Sequence, residues 1–123
     1  MADSIDISVV IPAYNESARL GASLQRVRTW LEARPETAEI IVVDDGSADD
    51  TADVARRELD GFAQCQVLRN EPNAGKGASV RRGVLAASGA HVLFSDADLS
   101  VDIADWDKLR AAHEAGADIA IGS

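Results

Sequence analysis

Apolar residues fall along this chain in two alternating rhythms. Over 7–11 the β-branched run Ile7, Val9, Val10 and Ile11 gives the pattern of a strand covered on both faces, and Pro12 is expected to end it. Over 16–34 Leu20, Leu24, Val27 and Leu31 mark one stripe of an amphipathic helix. Pro35 stops that helix, Asn15 or Ser17 is its candidate cap, and Trp30 sits at the edge of the stripe as a packing residue. The same two rhythms then repeat. A strand over 39–43 runs into Asp44-Asp45-Gly46-Ser47, a helix follows over 49–59, and a short strand over 64–69 leads to a turn over 70–75. The next helix spans 77–88, with Val80, Val84 and Leu85 as its apolar positions and Gly89 as its stop. A strand over 91–94, a polar loop over 95–100, a helix over 101–115 with Ile103, Trp106 and Leu109 inward, and a strand over 118–121 complete the series.

Strict alternation of strand and helix predicts an α/β fold: right-handed crossovers onto a mostly parallel sheet with helices on both faces. At 123 residues the chain has the length of one domain, and no linker or repeat divides it, so 1–123 reads as a single unit. Its 12 Lys and Arg stand against 21 Asp and Glu, and a net charge of −9 repels phosphate backbones, so nucleic acid is not an expected partner. A lone cysteine, Cys65, has no internal disulfide partner and reads as a buried apolar residue. No apolar run reaches the length of a membrane span and the N-terminus lacks the basic start of a signal peptide, so the expected location is cytoplasmic.

In open parallel sheets ligands bind beyond the carboxyl ends of the strands. Three polar clusters fall there: Pro12-Ala13-Tyr14-Asn15-Glu16, Asp44-Asp45-Gly46-Ser47 and Ser95-Asp96-Ala97-Asp98. Each alone has a bland reading as a cap or a turn. Together they gather Glu16, Asp44, Asp45, Asp96 and Asp98 on one edge, where carboxylates repel one another unless a cation or a donor-rich ligand is present. In an extended segment Asp96 and Asp98 project to one side, and small Ala97 keeps the backbone open. This suits a hard cation, Mg2+ or Mn2+, completed by diphosphate oxygens. Lys76, near a helix start, can reach a phosphate or an acidic loop. The Walker spacing fails because Asn70 stands where it needs glycine, G-x-G-x-x-G is absent after the first strand, and no G-x-S-x-G elbow exists.

In order and spacing, VVIPAYNES (9–17), IIVVDDGSADDT (40–51), NAGKGASVRRG (73–83) and LFSDADLS (93–100) resemble the nucleotide-binding half of family 2 glycosyltransferases, a Rossmann-like part of the GT-A fold. The wording is most similar to the dolichyl- or polyprenyl-phosphate glucosyltransferases. The resemblance implies a metal-dependent, inverting hexosyltransferase that uses a nucleoside-diphosphate sugar, UDP-glucose favoured, and a polyprenyl-phosphate acceptor at the cytoplasmic face of a membrane. By position, Pro12, Ala13, Tyr14 and Glu16 line the base and ribose pocket and Asp45 accepts from the ring N–H of uracil. Guanine offers N–H donors too, so Asp45 alone does not separate a UDP-hexose from a GDP-hexose. Asp98 is the implied direct metal ligand and catalytic group, and Asp96 contacts the ribose or a metal-bound water. Family members carry a further half, so the chain is expected to be truncated relative to them. The alternative is a nucleotide-diphosphate-binding module inactive without that half or a partner chain. The open edge of the fifth strand is an expected surface for a second copy.

Overall fold

The computed structural model of this chain describes residues 5–62, 64–95 and 120–121. Its elements run β1 (Ile5–Ala13), α1 (Ser17–Glu32), β2 (Ala38–Asp44), α2 (Thr51–Glu58), β3 (Cys65–Arg69), α3 (Lys76–Ala86), β4 (Gly89–Phe94) and β5 (Ala120–Ile121). All strand pairs are parallel and lie in the order β3-β2-β1-β4-β5. The chain thus grows from β1 toward one edge and then jumps back over β1 to build the other. Between β1 and β4 the loops leave in opposite directions, and such a reversal opens a crevice at the carboxyl ends.

Alternation along the strands assigns the two faces. Ile7, Val9, Ile11, Ile40 and Val42 are fully buried against Leu20, Leu24, Val27 and Leu31 of α1 and Val54 and Ala55 of α2. The opposite face carries a smaller cluster, Val10, Ile41 and Val43, to which Leu68, Ala86, Ala87 and Val92 add. Helices therefore cover both faces, as the alternation predicts.

Four local expectations are corrected. First, β1 does not end at Pro12: it continues to Ala13, with Pro12 in register with Val43. Val10 faces β4, its carbonyl accepting from the Ser95 N–H at 3.0 Å, and Ala13 faces β2, its carbonyl accepting from the Asp45 N–H at 2.9 Å. Pro12 shares the parity of Val10, and the β4 ladder stops at Val10↔Phe94, so the missing N–H breaks no ladder bond.

Second, α3 turns Ser79 and Gly83 to the sheet, not Val80, Val84 and Leu85: the valines are half-buried and Leu85 is 74% exposed. A Cβ on Gly83 would lie 2.3 Å from Val10 Cγ1, so the helix rests too close for a larger residue. Third, Gly89 does not stop a helix; it opens β4, where a Cβ would meet Ser8 Oγ at 2.5 Å. Fourth, Cys65 is exposed at the start of the edge strand β3. The loop over 96–100 and the helix over 101–115 lie outside the described residues, and β5 realises part of the strand expected over 118–121 at the sheet edge.

Candidate functional site

The loops that follow β1 and β2 are fastened to each other. Asn15, at φ 51°, donates its N–H to Ser47 Oγ at 2.8 Å and accepts from the Ala48 N–H on Oδ1 at 2.9 Å. Glu16 donates its N–H to Thr51 Oγ1 at 2.9 Å, and Ser17 donates its N–H to Asp49 Oδ2 at 3.3 Å. Neither Asn15 nor Ser17 caps α1; its N-cap residue is Glu16, without a side-chain cap bond, and Thr51 at the start of α2 and Asp49 just before it take up the N–H groups of Glu16 and Ser17. Asp49 also accepts from the N–H and the hydroxyl of Thr51, and the hydroxyl is the main reason its carboxyl lies below the ordinary value.

The neighbouring aspartates do different work. Asp44, the last residue of β2 and fully buried, accepts from Arg69 Nη1 at 2.6 Å and from the N–H and hydroxyl of Ser47. Arg69 Nη2 reaches the Ser47 carbonyl at 2.9 Å, so the pair ties β3 to the turn after β2. Glu71 first, against some desolvation, and then Asp44 hold the Arg69 guanidinium above its ordinary pKa. Asp45, only 6% exposed, accepts on Oδ1 from Asn70 Nδ2 at 3.0 Å and the Ala74 N–H at 2.7 Å, and on Oδ2 from the Gly75 N–H at 2.9 Å. Burial pushes its carboxyl up, but the donors of Ala74, Asn70 and Gly75 outweigh burial and the net shift is downward.

Two glycines make this arrangement possible. Gly46 sits at φ 77°, where a Cβ would meet the Asn70 carbonyl oxygen at 2.9 Å, and Gly75 at φ 98° turns the chain into α3. Lys76, the next residue and the first of α3, holds its Nζ 5.6 Å from the ring centre of Phe94, the last residue of β4. The structure therefore brings together Pro12 and Ala13, buried at the end of β1, Tyr14, which is 50% exposed beside them, Glu16, Asp45 and, through Ala74 and Gly75, Lys76.

The expected crowding of unpaired acids at this edge is corrected for three of its five members. Glu16 pairs with Arg19 at 2.6 Å, Asp44 with Arg69, and Asp45 with N–H groups, so the protein's own donors answer the repulsion. All three are held by partners within the protein, and no group of three metal-ligating side chains occurs among the described residues. The metal expectation rests on Asp96 and Asp98, which with Ala97 lie outside those residues.

Asn70, Ser79 and Arg69 were not visible as site residues in the sequence. Asn70 Nδ2 also lies 3.0 Å from Ser79 Oγ, and Asn70 Oδ1 accepts from Arg82 Nη1 at 2.8 Å. Its only sequence signal is its place at the end of a strand, a few residues ahead of a glycine turn.

Comparison with known proteins agrees with this geometry. The sequence profile of Glycosyl transferase family 2 matches residues 8–123. A dolichyl-phosphate beta-glucosyltransferase of Drosophila melanogaster is 41% identical over 116 residues, 89% of this chain and 36% of that protein. Among solved structures, S. aureus TarS 1–349 in complex with UDP-GlcNAc is 24% identical and superposes with a TM-score of 0.71 over 89% of this chain and 32% of its own. Glucosyl-3-phosphoglycerate synthase from Mycobacterium tuberculosis, in complex with Mn2+, UDP and glucosyl-3-phosphoglycerate, is 31% identical at a TM-score of 0.61 over 76% and 33%. The chain spans about a third of the length of the curated relatives it matches.

Proposed function

This chain belongs to glycosyl transferase family 2, and on that premise we propose that it forms the donor-binding part of a hexosyltransferase. The donor is a nucleoside-diphosphate sugar, UDP-glucose favoured, and the acceptor is a polyprenyl phosphate of the dolichyl type. The observation that carries this reading is Asp45: a buried carboxylate at the end of β2, kept ionised by surrounding donors, beside exposed Tyr14 and joined to the turn that leads to Lys76. An aromatic face, an anionic acceptor for a base N–H and a cation for phosphates, gathered at one sheet edge, suit a nucleoside diphosphate. The names of the relatives, dolichyl-phosphate beta-glucosyltransferases, support the sugar and the acceptor.

In this reading Pro12, Ala13, Tyr14 and Glu16 form the wall of the base and ribose pocket, Asp45 accepts from the base, and Lys76 faces the diphosphate. Asp96 and Asp98 hold Mg2+ or Mn2+, Asp98 directly. A bound divalent ion supplies neutralisation of the charge that develops on the departing diphosphate. A polyprenyl phosphate is already anionic at pH 7, so its attack needs no strong base from the protein. Displacement on the side opposite the leaving group inverts the anomeric carbon, and an α-linked donor then gives the β product that the relatives' name carries.

Titration of the chain with UDP, UDP-glucose, GDP and GDP-mannose, with and without Mn2+, tests the binding. We expect metal-dependent binding of a uridine nucleotide that Asp98→Ala abolishes; calorimetric silence toward all four in saturating Mn2+ overturns the reading. Release of UDP on adding polyprenyl phosphate identifies transfer. A second reading, donor binding without turnover by this chain alone, is favoured by its span of about a third of the relatives' length, and binding with no UDP release would select it.

A further inference from the structure

Asn70 has no place in the reading above, yet it decides how many acceptor positions Asp45 can offer. A carboxylate has about four lone-pair positions, two on each oxygen. Three of them are taken within the protein: Oδ1 accepts from both Asn70 Nδ2 and the Ala74 N–H, and Oδ2 accepts from the Gly75 N–H. Oδ1 is therefore filled; the Ser79 hydroxyl also lies against this carboxyl and helps to lower its pKa, but its single hydrogen is directed at the Gly75 carbonyl, so one position remains on Oδ2.

Asn70 is itself held in place. Its amide nitrogen also lies 3.0 Å from Ser79 Oγ, its oxygen accepts from Arg82 Nη1 at 2.8 Å, and its N–H donates to the Asp44 carbonyl at 2.8 Å. Ser79 Oγ in turn donates to the Gly75 carbonyl at 3.0 Å, so the amide cannot swing away from Asp45 without breaking its bonds to Ser79 and Arg82 of α3.

We infer that Asn70 is a positioning residue that sets base specificity: by occupying Oδ1 it leaves Asp45 able to take one N–H donor and unable to take two side by side. Uracil presents one ring N–H. Guanine presents a ring N–H and an exocyclic amine on the same edge, a fork that a carboxylate satisfies with both oxygens. With Oδ1 filled, the amine of guanine enters the pocket without an acceptor and loses its water, which disfavours it. The carboxylate that alone does not tell the two bases apart becomes selective through its neighbour. This inference rests on the nucleotide-binding reading proposed above.

Inosine diphosphate isolates the effect, because it keeps the ring N–H of guanine and lacks the amine. The full chain, its Asn70→Ala variant and the cavity-sparing Asn70→Val variant are titrated with UDP, GDP and inosine diphosphate in Mn2+, and circular dichroism confirms that each variant is folded. The wild-type chain is expected to bind GDP no more tightly than inosine diphosphate. Freeing one position on Oδ1 is expected to make GDP tighter than inosine diphosphate by roughly tenfold in both variants, the size of one hydrogen bond to a charged acceptor. General loosening of the site weakens both purine nucleotides alike and does not move their ratio. UDP binding with a GDP-to-inosine ratio equal in wild type and variants overturns this inference and leaves the nucleotide reading standing. Silence of the wild-type chain toward all three nucleotides overturns both.

Discussion

Asp45 is a buried acid that the fold surrounds with donors, and that choice has a sign in pH. Its pKa in the folded chain lies below the ordinary 3.8, so its contribution to stability is complete above that value and is lost as pH falls through the folded one. Asp45→Asn keeps the shape but turns an amide toward the Ala74 and Gly75 N–H groups. We expect a loss of about 2 kcal/mol at pH 7, the cost of donors left without an acceptor. The stability difference between wild type and variant should shrink below about pH 4, and urea midpoints between pH 2.5 and 7 measure it; a difference constant across that range contradicts the assignment. At this scale the sequence was a partial guide. It placed Asp45 at a strand end, but it could not say that Asp44 would be consumed by Arg69 or that Asn70 would share Asp45, because those partners are 25 residues away and meet only through the sheet.

Among the elements, α3 departs most from what its residues announce. Valine and leucine at helical spacing ordinarily mark the packed side, and here Ser79 and Gly83, four apart, do so instead. Small residues at that interval let a helix lie low on a sheet, and the legible signal was their spacing, not the hydrophobicity of their neighbours. Gly83→Ala drives a methyl into Val10 and should cost about 1–3 kcal/mol by overpacking, read as a lower urea midpoint with unchanged slope. A mutant as stable as the wild type would mean that α3 can lift without penalty. Strand and helix order over the described residues, by contrast, was readable, since apolar runs and amphipathic stripes are local properties of the chain. Pro12 misled because a proline stops a strand only when its absent N–H faces a partner, and that depends on where the next strand ends.

For the molecule as a whole, the reversal of strand order at β1 and β4 opens the crevice in which we place the proposed nucleotide, and the charge of −9 bears on what that nucleotide needs. An anionic nucleotide approaching an acidic protein is opposed unless a cation travels with it. Thermal unfolding should therefore respond to the pair and not to either member. The UDP–Mn2+ complex, present at about a hundred times its dissociation constant, is expected to stabilise the folded chain by about 2.7 kcal/mol. This raises the melting temperature by roughly 10 °C in a chain of this size, whereas UDP in chelator should leave it in place. An equal rise without metal would show that Lys76 and its surroundings suffice. The interlocked turns after β1 and β2 bear on how such a protein can be re-engineered. Four bonds cross between residues 15–17 and residues 47–51. The two stretches thus form one cassette: a graft from a relative that carries only one across severs the joinery of both, and loop exchange at this edge means transplanting them together.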